Sequence, residues 1–170
     1  MRNMINDGNQ TDTYVFFYGG VFSNWYPCRY NNIKYKGITF FNSEQAFMWE
    51  KAIYFGDMET AAKIVKTPNP KENKALGRLV KGFDASKWAE VSFDIMVDVN
   101  YAKFSQNFGL RNILTGTEDK ILVEASPHDT IWGIGIGIDN YDCYDESKWK
   151  GQNLLGKALM KVREKLNDER

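Results

Sequence analysis

A carboxylate and an amine, Glu44 and Lys51, stand seven positions apart in the segment SEQAFMWEKAIYF, residues 43–55. At about 3.6 residues per turn and about 1.5 Å of rise per residue, this spacing places both side chains on one stripe of a helix, about 10 Å apart along its axis. Apolar residues point in nearly every other direction, which predicts that the rest of the fold encloses this helix. Because an unpaired buried charge is costly, the two groups either form an internal ion-pair network or line a polar pocket.

A second set of chemically capable side chains lies in LVEASPHDTIWGIGIG, residues 122–137, and comprises Glu124, Asp129 and Trp132. The alternating glycines that follow are Gly133, Gly135 and Gly137. They do not form a dinucleotide-binding fingerprint, since Ile138 occupies the place of its last glycine, and no GKS or GKT follows as in a phosphate-binding loop. Either the glycines make a buried turn, or their missing side chains let a ligand approach the backbone. In the second case, Trp132 offers a flat face and Asp129 donates or accepts a proton.

Three other polar residues, Asn153, Arg78 and His128, have side chains that could serve in a site. Asn153 lies in GQNLLG, which opens the last predicted helix, and it either packs at the helix start or holds a sugar hydroxyl beside backbone amides that face a phosphate. Arg78, in LGRL, either pairs internally or binds a phosphate. The only histidine, His128, has no nucleophile placed beside it and is predicted to be a surface loop residue.

The elements that position these residues are short strands near the amino terminus and helices in most of the remaining chain. Strands are predicted in TYVFFYGGVFSNWYP before a turn at Gly19 and Gly20, on both sides of Gly37 in NIKYKGITFF, and near KILVEA. Three helices follow from capping signals: from Asn42 or Ser43 to about Phe55, from Asp57 to about Lys66, and from NPKE, with Asn69 as cap, Pro70 first and Glu72 third. Apolar spacing predicts two more: from Ser86, with Trp88, Val91, Ile95, Val99 and Ala102 facing the core, and from about Gly151, with Leu155, Leu159, Val162 and Leu166 on one stripe. This succession predicts an α+β fold dominated by helix.

Length and composition restrict the class of protein. With 170 residues, of which 43% are apolar, the chain fits one domain, predicted as residues 14–170 after a flexible segment 1–13. The 22 basic and 22 acidic residues balance, which argues against nonspecific binding to nucleic acid. Cys28 and Cys143 have neither a CxxC spacing nor a histidine cluster, so we expect no disulfide framework and no metal site. The polar amino terminus and the lack of a long apolar run predict a soluble, cytoplasmic protein.

An ordered set of motifs resembles the NADAR (YbiA-like) family. These motifs are FSNWYP, SEQAF followed by EKA, LGR, a long helix ending in AKF, LVEAS..D..WGIG and GQNLLGKALMKVR, and together they span residues 14–166. The resemblance implies a small, mostly helical YbiA-like α+β domain with short amino-terminal strands. It also implies hydrolysis of N-glycosidic bonds that join ribose to an amine, either in ribosylaminopyrimidine phosphates of riboflavin synthesis or in ADP-ribosylated guanine.

The resemblance moves the pocket interpretation ahead of the structural one at the matched positions. It implies catalytic roles for Glu44, Lys51 and Asp129, and substrate-binding roles for Asn24, Arg78, Glu124, Trp132, Gly133, Gly135 and Asn153. It implies neither a metal nor a cofactor. The expected partners are a small ribosylamine phosphate or ADP-ribosyl substrate, with ADP-ribosylated nucleic acid as a further candidate, and no membrane or obligate protein partner. The segment between SEQAF and LGR and the loop GIDNYDCYDESKWKG match neither substrate subgroup closely.

Two mechanisms and two other functional classes compete at this stage. In the first mechanism, Lys51, with a pKa lowered by the surroundings of Phe47, Met48 and Trp49, forms a Schiff base with C1 of the ribose. Glu44 or Asp129 then moves protons to the ring oxygen and the leaving amine. In the second, a carboxylate activates water against an oxocarbenium-like centre, as in glycoside hydrolysis. The chain is alternatively a binding module that holds ADP-ribose or a nucleotide uncleaved, or a structural protein, which the inward-pointing charges disfavour.

Overall fold

The computed structural model describes residues 10–28 and 32–169 of the chain. Within these residues there are six α-helices and four short strands: β1 Tyr14–Phe17, β2 Ile33–Tyr35, β3 Ile38–Phe40, α1 Ser43–Tyr54, α2 Met58–Val65, α3 Pro70–Arg78, α4 Ala85–Ser105, α5 Phe108–Thr115, β4 Ile121–Glu124 and α6 Leu154–Asp168. Short 3-10 helices occupy Gly20–Phe22, Tyr141–Tyr144 and Glu146–Lys148. The predicted α+β class, dominated by helix, is confirmed.

The chain forms two compact units. The continuous unit comprises Asn24–Phe108, and the discontinuous unit combines residues 10–23 with residues 109–169. Most of the predicted flexible segment 1–13 lies outside the described residues. Of its last four residues, Gln10 forms a bridge with Val15, and the Thr11 hydroxyl accepts a hydrogen bond from the N–H of Tyr14 at 2.8 Å.

Helix α1 is the centre of the continuous unit and packs against α2, α3 and α4. Nine of its twelve residues are buried, so the prediction that the fold encloses this helix is confirmed. The predicted strand pair is also present: β2 and β3 run antiparallel and are joined by a turn in which Gly37 has a φ of +79°. Such a positive φ is accessible to glycine at little cost, which explains the glycine at this position.

Capping side chains begin the first three helices as predicted. The Asn42 side chain accepts the N–H of Gln45 at 2.8 Å, and the Asp57 side chain accepts the N–H of Thr60 at 3.1 Å. The third cap, Asn69, accepts the N–H of Lys71 at 2.9 Å and precedes a proline at the first helical position. Each cap supplies a partner for a backbone N–H that has none within its own helix.

The long helix α4 has a more polar inner face than its apolar spacing predicts. Of the five residues expected to face the core, Trp88, Val99 and Ala102 are buried, whereas Val91 and Ile95 are only half-buried. The buried face also carries Ser92, Met96, Asn100 and Lys103. The predicted stripe was therefore partly wrong, because apolar periodicity does not register polar side chains that find partners inside the protein.

The discontinuous unit is built on a parallel pair of strands. β1 pairs with β4 from Tyr14 opposite Ile121 to Phe17 opposite Glu124, which confirms the strand predicted near KILVEA. Parallel strands need a long connection, and here the whole continuous unit lies between them in sequence. Helix α6 packs against β4, where a side chain at Gly156 would collide with the carbonyl of Leu122. The core of this unit comprises Phe16, Val123, Ala125, Ile134, Ile136 and Cys143.

The remaining features are a helix that the sequence did not predict and the observations that concern membrane spans, cysteines and metal ligands. Helix α5 was not predicted from the sequence. None of the helices in the described residues combines the length and apolar character needed to span a membrane. Cys28 and Cys143 are buried free thiols. In the described part of the chain, no three or more histidine, cysteine or acidic side chains come together in a way that would hold a metal ion.

Candidate active site

Lys51 lies in a cluster of chemically different groups within the continuous unit. We call Glu44, Lys51, Arg78 and Phe83 the Lys51 cluster. Lys51 is half-buried near the end of α1, and its Nζ lies 4.0 Å from the centroid of the Phe83 ring. An ammonium group at this distance from an aromatic face makes a cation–π contact. Phe83 comes from the turn before α4, so the contact joins two segments far apart in sequence.

Burial and neighbouring charges together shift the protonation equilibrium of Lys51 toward its neutral amine. Burial lowers the pKa of Lys51 below its ordinary value, because the charged ammonium loses contact with water. The Glu44 carboxylate opposes this shift, and the Arg78 guanidinium adds to it. The lowered pKa agrees with the expected direction. The aromatic ring that the structure places over the amine is Phe83, however, which the sequence did not single out.

Arg78 reaches this cluster because α3 packs closely on α1. A side chain at Gly77 would collide with the thioether of Met48 on α1, so glycine lets α3 approach without displacing the Met48 side chain. Arg78 is the next residue and the last of α3, and it remains exposed. The LGR motif thus combines a residue that allows two helices to meet with a cation that acts on Lys51.

Glu44 is buried in the first turn of α1, and hydrogen bonds hold its backbone in place. Glu44 is only 7% exposed, and its N–H donates to the carbonyl of Asn24 at 3.0 Å. The Asn24 amide oxygen accepts from Asn100 at 3.2 Å, and Asn100 in turn accepts from the Ser43 hydroxyl at 3.3 Å. This network ties the start of α1 to α4. The structure therefore gives Asn24 a positioning contact with Glu44, and its role in binding substrate stays a prediction.

In the discontinuous unit, Asp129 is used by the backbone of its own loop. Its Oδ1 accepts the N–H of Ile131 at 2.9 Å and the N–H of Trp132 at 2.8 Å. Its carbonyl also accepts the N–H of Gly135 at 3.1 Å. These bonds fix the turn that carries Trp132, which is half-buried. The proposed proton-transfer role of Asp129 is not tested by this geometry and stays a prediction.

The glycines after Trp132 allow chain segments to pack against each other. A Cβ at Gly133 would lie 2.9 Å from the carbonyl oxygen of Asp129 and 3.0 Å from that of Glu124. Gly135 has a φ of +68°, and a Cβ there would lie 3.0 Å from side-chain atoms of Lys150 and Thr130. A buried turn thus accounts for both glycines. The substrate-binding roles of Gly133 and Gly135 stay predictions.

Asn153 links the start of α6 to strand β4. Its Oδ1 accepts the N–H of Glu124 at 3.0 Å, and its Nδ2 donates to the carbonyl of Leu122 at 2.9 Å. Asn153 adopts a left-handed backbone conformation with a φ of +53°, which asparagine tolerates better than most residues. The packing interpretation accounts for these contacts, whereas binding of a sugar hydroxyl by Asn153 stays a prediction. Glu124 ends β4 and is buried.

The predicted site residues thus fall into two groups. The continuous unit contains Asn24, Glu44, Lys51 and Arg78, and the discontinuous unit contains Glu124, Asp129, Trp132, Gly133, Gly135 and Asn153. His128 is exposed, which confirms its prediction as a surface residue. Phe83 was not predicted from the sequence. The sequence did contain a signal, because this aromatic residue lies between Gly82 and Asp84, the cap of α4. A turn directly before a capped helix gives a side chain a defined position.

A second lysine with a lowered pKa, Lys103, was also missed. It is fully buried on α4, and its Nζ lies 4.9 Å from the ring centroid of Phe104 and 5.5 Å from that of Tyr26. Burial lowers its pKa to about 8, against an opposing contribution from Cys28. Because Lys103 is buried and Lys51 is only half-buried, Lys51 is the more accessible of the two amines.

Comparison with known proteins gives a consistent result. The family model described as NADAR domain matches residues 16–167. A protein of Acanthamoeba polyphaga mimivirus named N-glycosidase R617 is 41% identical over 165 residues, which cover 91% of this chain and 97% of that protein. The Vibrio vulnificus (strain YJ016) protein named riboflavin biosynthesis protein VVA0006 is 28% identical over 159 residues, 91% of this chain and 39% of that protein. The NMR structure of the E. coli protein YbiA matches with a TM-score of 0.74 and 31% identity, covering 94% of this chain and 88% of that chain.

Proposed function

The chain belongs to the NADAR domain family, and we propose that it hydrolyses the bond between C1 of a ribose and an amine nitrogen in ribosylaminopyrimidine phosphates or in ADP-ribosylated guanine. The enzyme class, a hydrolase of the N-glycosidase type, follows from family membership and from the nearly full-length similarity to a named N-glycosidase. The observation that carries the proposal is the half-buried Lys51 with a lowered pKa, influenced by both Glu44 and Arg78. The protein is proposed to act in the cytoplasm.

The proposed reaction begins with opening of the sugar ring. The exocyclic nitrogen of a ribosylamine carries a proton, so its lone pair can form a C1–nitrogen double bond while the C1–ring-oxygen bond breaks. The ring oxygen takes a proton from Glu44, which acts as the general acid. Burial of Glu44 beside an amine with a lowered pKa supports this assignment. Asp129 stays the alternative proton carrier predicted from the sequence.

The neutral Lys51 amine then attacks C1 of the open imine. The new C1–Nζ bond gives a carbon that holds two nitrogens, and a proton moves to the substrate nitrogen. The C1–substrate-nitrogen bond breaks, the free amine leaves, and Lys51 holds the sugar as a protonated Schiff base. Water adds to C1 and returns one proton to Glu44, the proton of the new C1 hydroxyl moves to Nζ as the C1–Nζ bond breaks, and the sugar leaves as its aldehyde while the neutral lysine amine is regenerated. Arg78, exposed at the end of α3, is proposed to bind a substrate phosphate.

The rival mechanism requires no covalent bond to lysine. A carboxylate activates water against an oxocarbenium-like centre, and Lys51 only holds a carboxylate or a phosphate. The two mechanisms differ in what remains when the amine is removed. Loss of the nucleophile eliminates the Schiff-base route, whereas loss of a binding contact weakens but preserves turnover.

The test is turnover of both substrate types by the wild-type protein and by Lys51→Ala. We expect wild-type product from one substrate and a loss of at least about a thousandfold in Lys51→Ala, more than one binding contact supplies. Lys63→Ala is the matched control, because Lys63 is an exposed lysine paired with Glu59 in the same unit. Substantial turnover by a folded Lys51→Ala protein rules out the Schiff-base route. Return of both substrates unchanged by the wild-type protein supports the ADP-ribose or nucleotide binding module instead.

A further inference from the structure

The geometry points to Phe83 as the residue that selects the leaving group: its ring receives the planar base of the amine released from C1. This inference rests on the proposed function and adds a specificity determinant to it. Substrates with a heteroaromatic amine are then favoured over ribosylamines whose amine is not planar. Phe83 acts by stacking on the base, a contact that any heteroaromatic ring can make.

Phe83 has both the position and the exposure that this role requires. Its ring centroid lies 4.0 Å from Nζ of Lys51, and the residue is 46% exposed. The neighbouring Tyr54, on the last turn of α1, is 42% exposed. The presence of a buried aromatic ring is usually explained by its packing in the core. A partly exposed ring beside a reactive amine has surface that a ligand can contact.

Other aromatic side chains hold the two exposed rings in place. Phe55 contacts Phe83 at 5.5 Å with an interplanar angle of 72°, and it contacts Tyr54 at 4.9 Å with an angle of 88°. Both Phe55 and Tyr54 also contact the buried Trp88, at 6.2 Å and 6.0 Å. Such edge-to-face and tilted contacts fix ring orientation, so the surface offered to a base is formed before binding.

The turn that carries Phe83 is anchored on both sides. The Asp57 carboxylate accepts the N–H of Lys81 at 2.9 Å, and the Asp84 carboxylate accepts the N–H of Ser86 at 3.0 Å. Between them, Gly82 adopts a φ of +72°, a conformation that permits the sharp change of direction before Phe83. These contacts hold the ring beside α1 without depending on a ligand.

The chemistry of the step brings the base to this surface. When Nζ of Lys51 bonds to C1, the departing nitrogen is attached to the same carbon atom. The base carried by that nitrogen therefore lies close to Nζ, and the exposed surface of the Phe83 ring, which Nζ contacts, is the aromatic surface beside it among the described residues. Stacking on this ring favours substrates whose amine is part of a flat heteroaromatic system.

The experiment compares two ribosylamines that share the sugar but differ in the amine. One carries an aminopyrimidine and the other an alkylamine, and both are assayed with wild-type protein, Phe83→Leu and Phe83→Trp. Leucine keeps an apolar cover over Lys51 but cannot stack, whereas tryptophan can. Leu79→Ala is the matched control, because Leu79 is 71% exposed and lies in the same unit. Thermal melting checks that each variant is folded.

We expect Phe83→Leu to lower kcat/KM for the aminopyrimidine substrate by about ten- to a hundredfold, the range of a lost base-stacking contact. Turnover of the alkylamine substrate falls only by the smaller effect of the lost Phe83–Lys51 contact, which both substrates share, and Phe83→Trp retains the preference for the aminopyrimidine. An equal loss on both substrates, or no loss on either, overturns the role of Phe83 while leaving the proposed function intact. Absence of wild-type turnover on both substrates overturns the proposed function and this inference together.

Discussion

The Lys51 cluster and the loop around Asp129 contain similar residue types but use them differently. Both combine a carboxylate with an aromatic side chain: Glu44 with Phe83 in the first, and Asp129 with Trp132 in the second. At Asp129, the backbone N–H groups of Ile131 and Trp132 donate to the carboxylate, which stabilises the turn. At Lys51, burial and neighbouring charges change the pKa of an amine. The polar atoms of Asp129 hold the backbone of its loop, whereas the groups around Lys51 change the protonation of an amine.

This difference helps to separate chemistry from scaffolding. A polar residue whose side chain forms hydrogen bonds with nearby backbone groups contributes to stability. Replacing it is expected to change the free energy of unfolding more than the rate of turnover. A partly exposed group whose protonation is altered by several neighbours is a candidate for chemistry. On this basis, replacements in the Lys51 cluster are expected to change rate, and replacements in residues 129–137, which we call the glycine loop, are expected to change stability.

Among the replacements that distinguish these two regions, the largest effect on kcat is expected for Glu44→Gln. Removal of the general acid should lower kcat by about a hundred- to ten-thousandfold, the usual contribution of such a group. The change keeps the size of the side chain and leaves the backbone bond to Asn24 in place. Steady-state kinetics on the wild-type substrate, with circular dichroism as the check of folding, measures it.

Glu50→Gln is the matched control for Glu44→Gln. Glu50 is also a buried carboxylate on α1, but it pairs with Lys36 of the hairpin at 2.6 Å between Nζ and Oε1. Its replacement should lower stability and leave kcat of the folded protein within about threefold. Similar losses of kcat in both variants would mean that burial on α1, rather than proximity to Lys51, explains the result.

The second prediction concerns the glycine loop. Gly133→Ala should lower the free energy of unfolding by about 1–3 kcal/mol, because its new Cβ would press on two backbone carbonyl oxygens. Gly137→Ala is the control, since the nearest atoms to a Cβ there lie 3.9 Å away, in Pro127. Urea unfolding measures both. A large loss of kcat in a stable Gly133→Ala protein would contradict the scaffold role and support ligand approach at this glycine.

The local elements of the fold were predictable because short-range chemistry determines them. The Asn69–Pro70 start of α3 follows from a capping side chain and a fixed proline φ, which act within one turn. The shared stripe of Glu44 and Lys51 follows from helix geometry alone. Their electrostatic interaction agrees with this spacing.

The contacts that the sequence did not predict depend on tertiary packing. Phe83 touches Lys51 only because the turn before α4 returns to α1. Lys103 sits on the buried face of α4, although lysine is rarely buried and its neighbours in sequence do not indicate this. For Asp129, Gly133 and Asn153, the sequence left a structural and a functional alternative open, and only the positions of backbone atoms from other segments show what the structural alternative involves.

The smallest effect is expected for Arg78→Met, and it appears in the pH profile of kcat/KM. In the proposed mechanism neutral Lys51 is the nucleophile, so activity is expected to rise as pH increases through the pKa of Lys51. Because the Arg78 guanidinium lowers that pKa, its removal should move the rising limb to higher pH. The part of the loss near neutral pH that comes from this pKa change should be no more than about fivefold, since an exposed guanidinium is screened by water and salt, and loss of the proposed phosphate contact adds a decrease that is equal at every pH.

The control for Arg78→Met is Lys81→Met, an exposed cation paired with Glu59 in the same unit. It should leave the limb where it is in the wild-type protein. If Arg78 acts only by binding phosphate, its loss lowers kcat/KM equally at every pH and the limb does not move. That outcome would separate Arg78 from the electrostatic control of Lys51.

The most direct test of the account is mass spectrometry of the wild-type protein incubated with each ribosylamine substrate in the presence and absence of borohydride. Borohydride reduces a Schiff base to a stable amine, so the account predicts a sugar adduct on the peptide that contains Lys51, formed only with borohydride. The same experiment with Lys51→Ala should give no adduct. Turnover by the wild-type protein without an adduct, or an adduct on Lys103 instead, would contradict the assignment of Lys51 as the nucleophile.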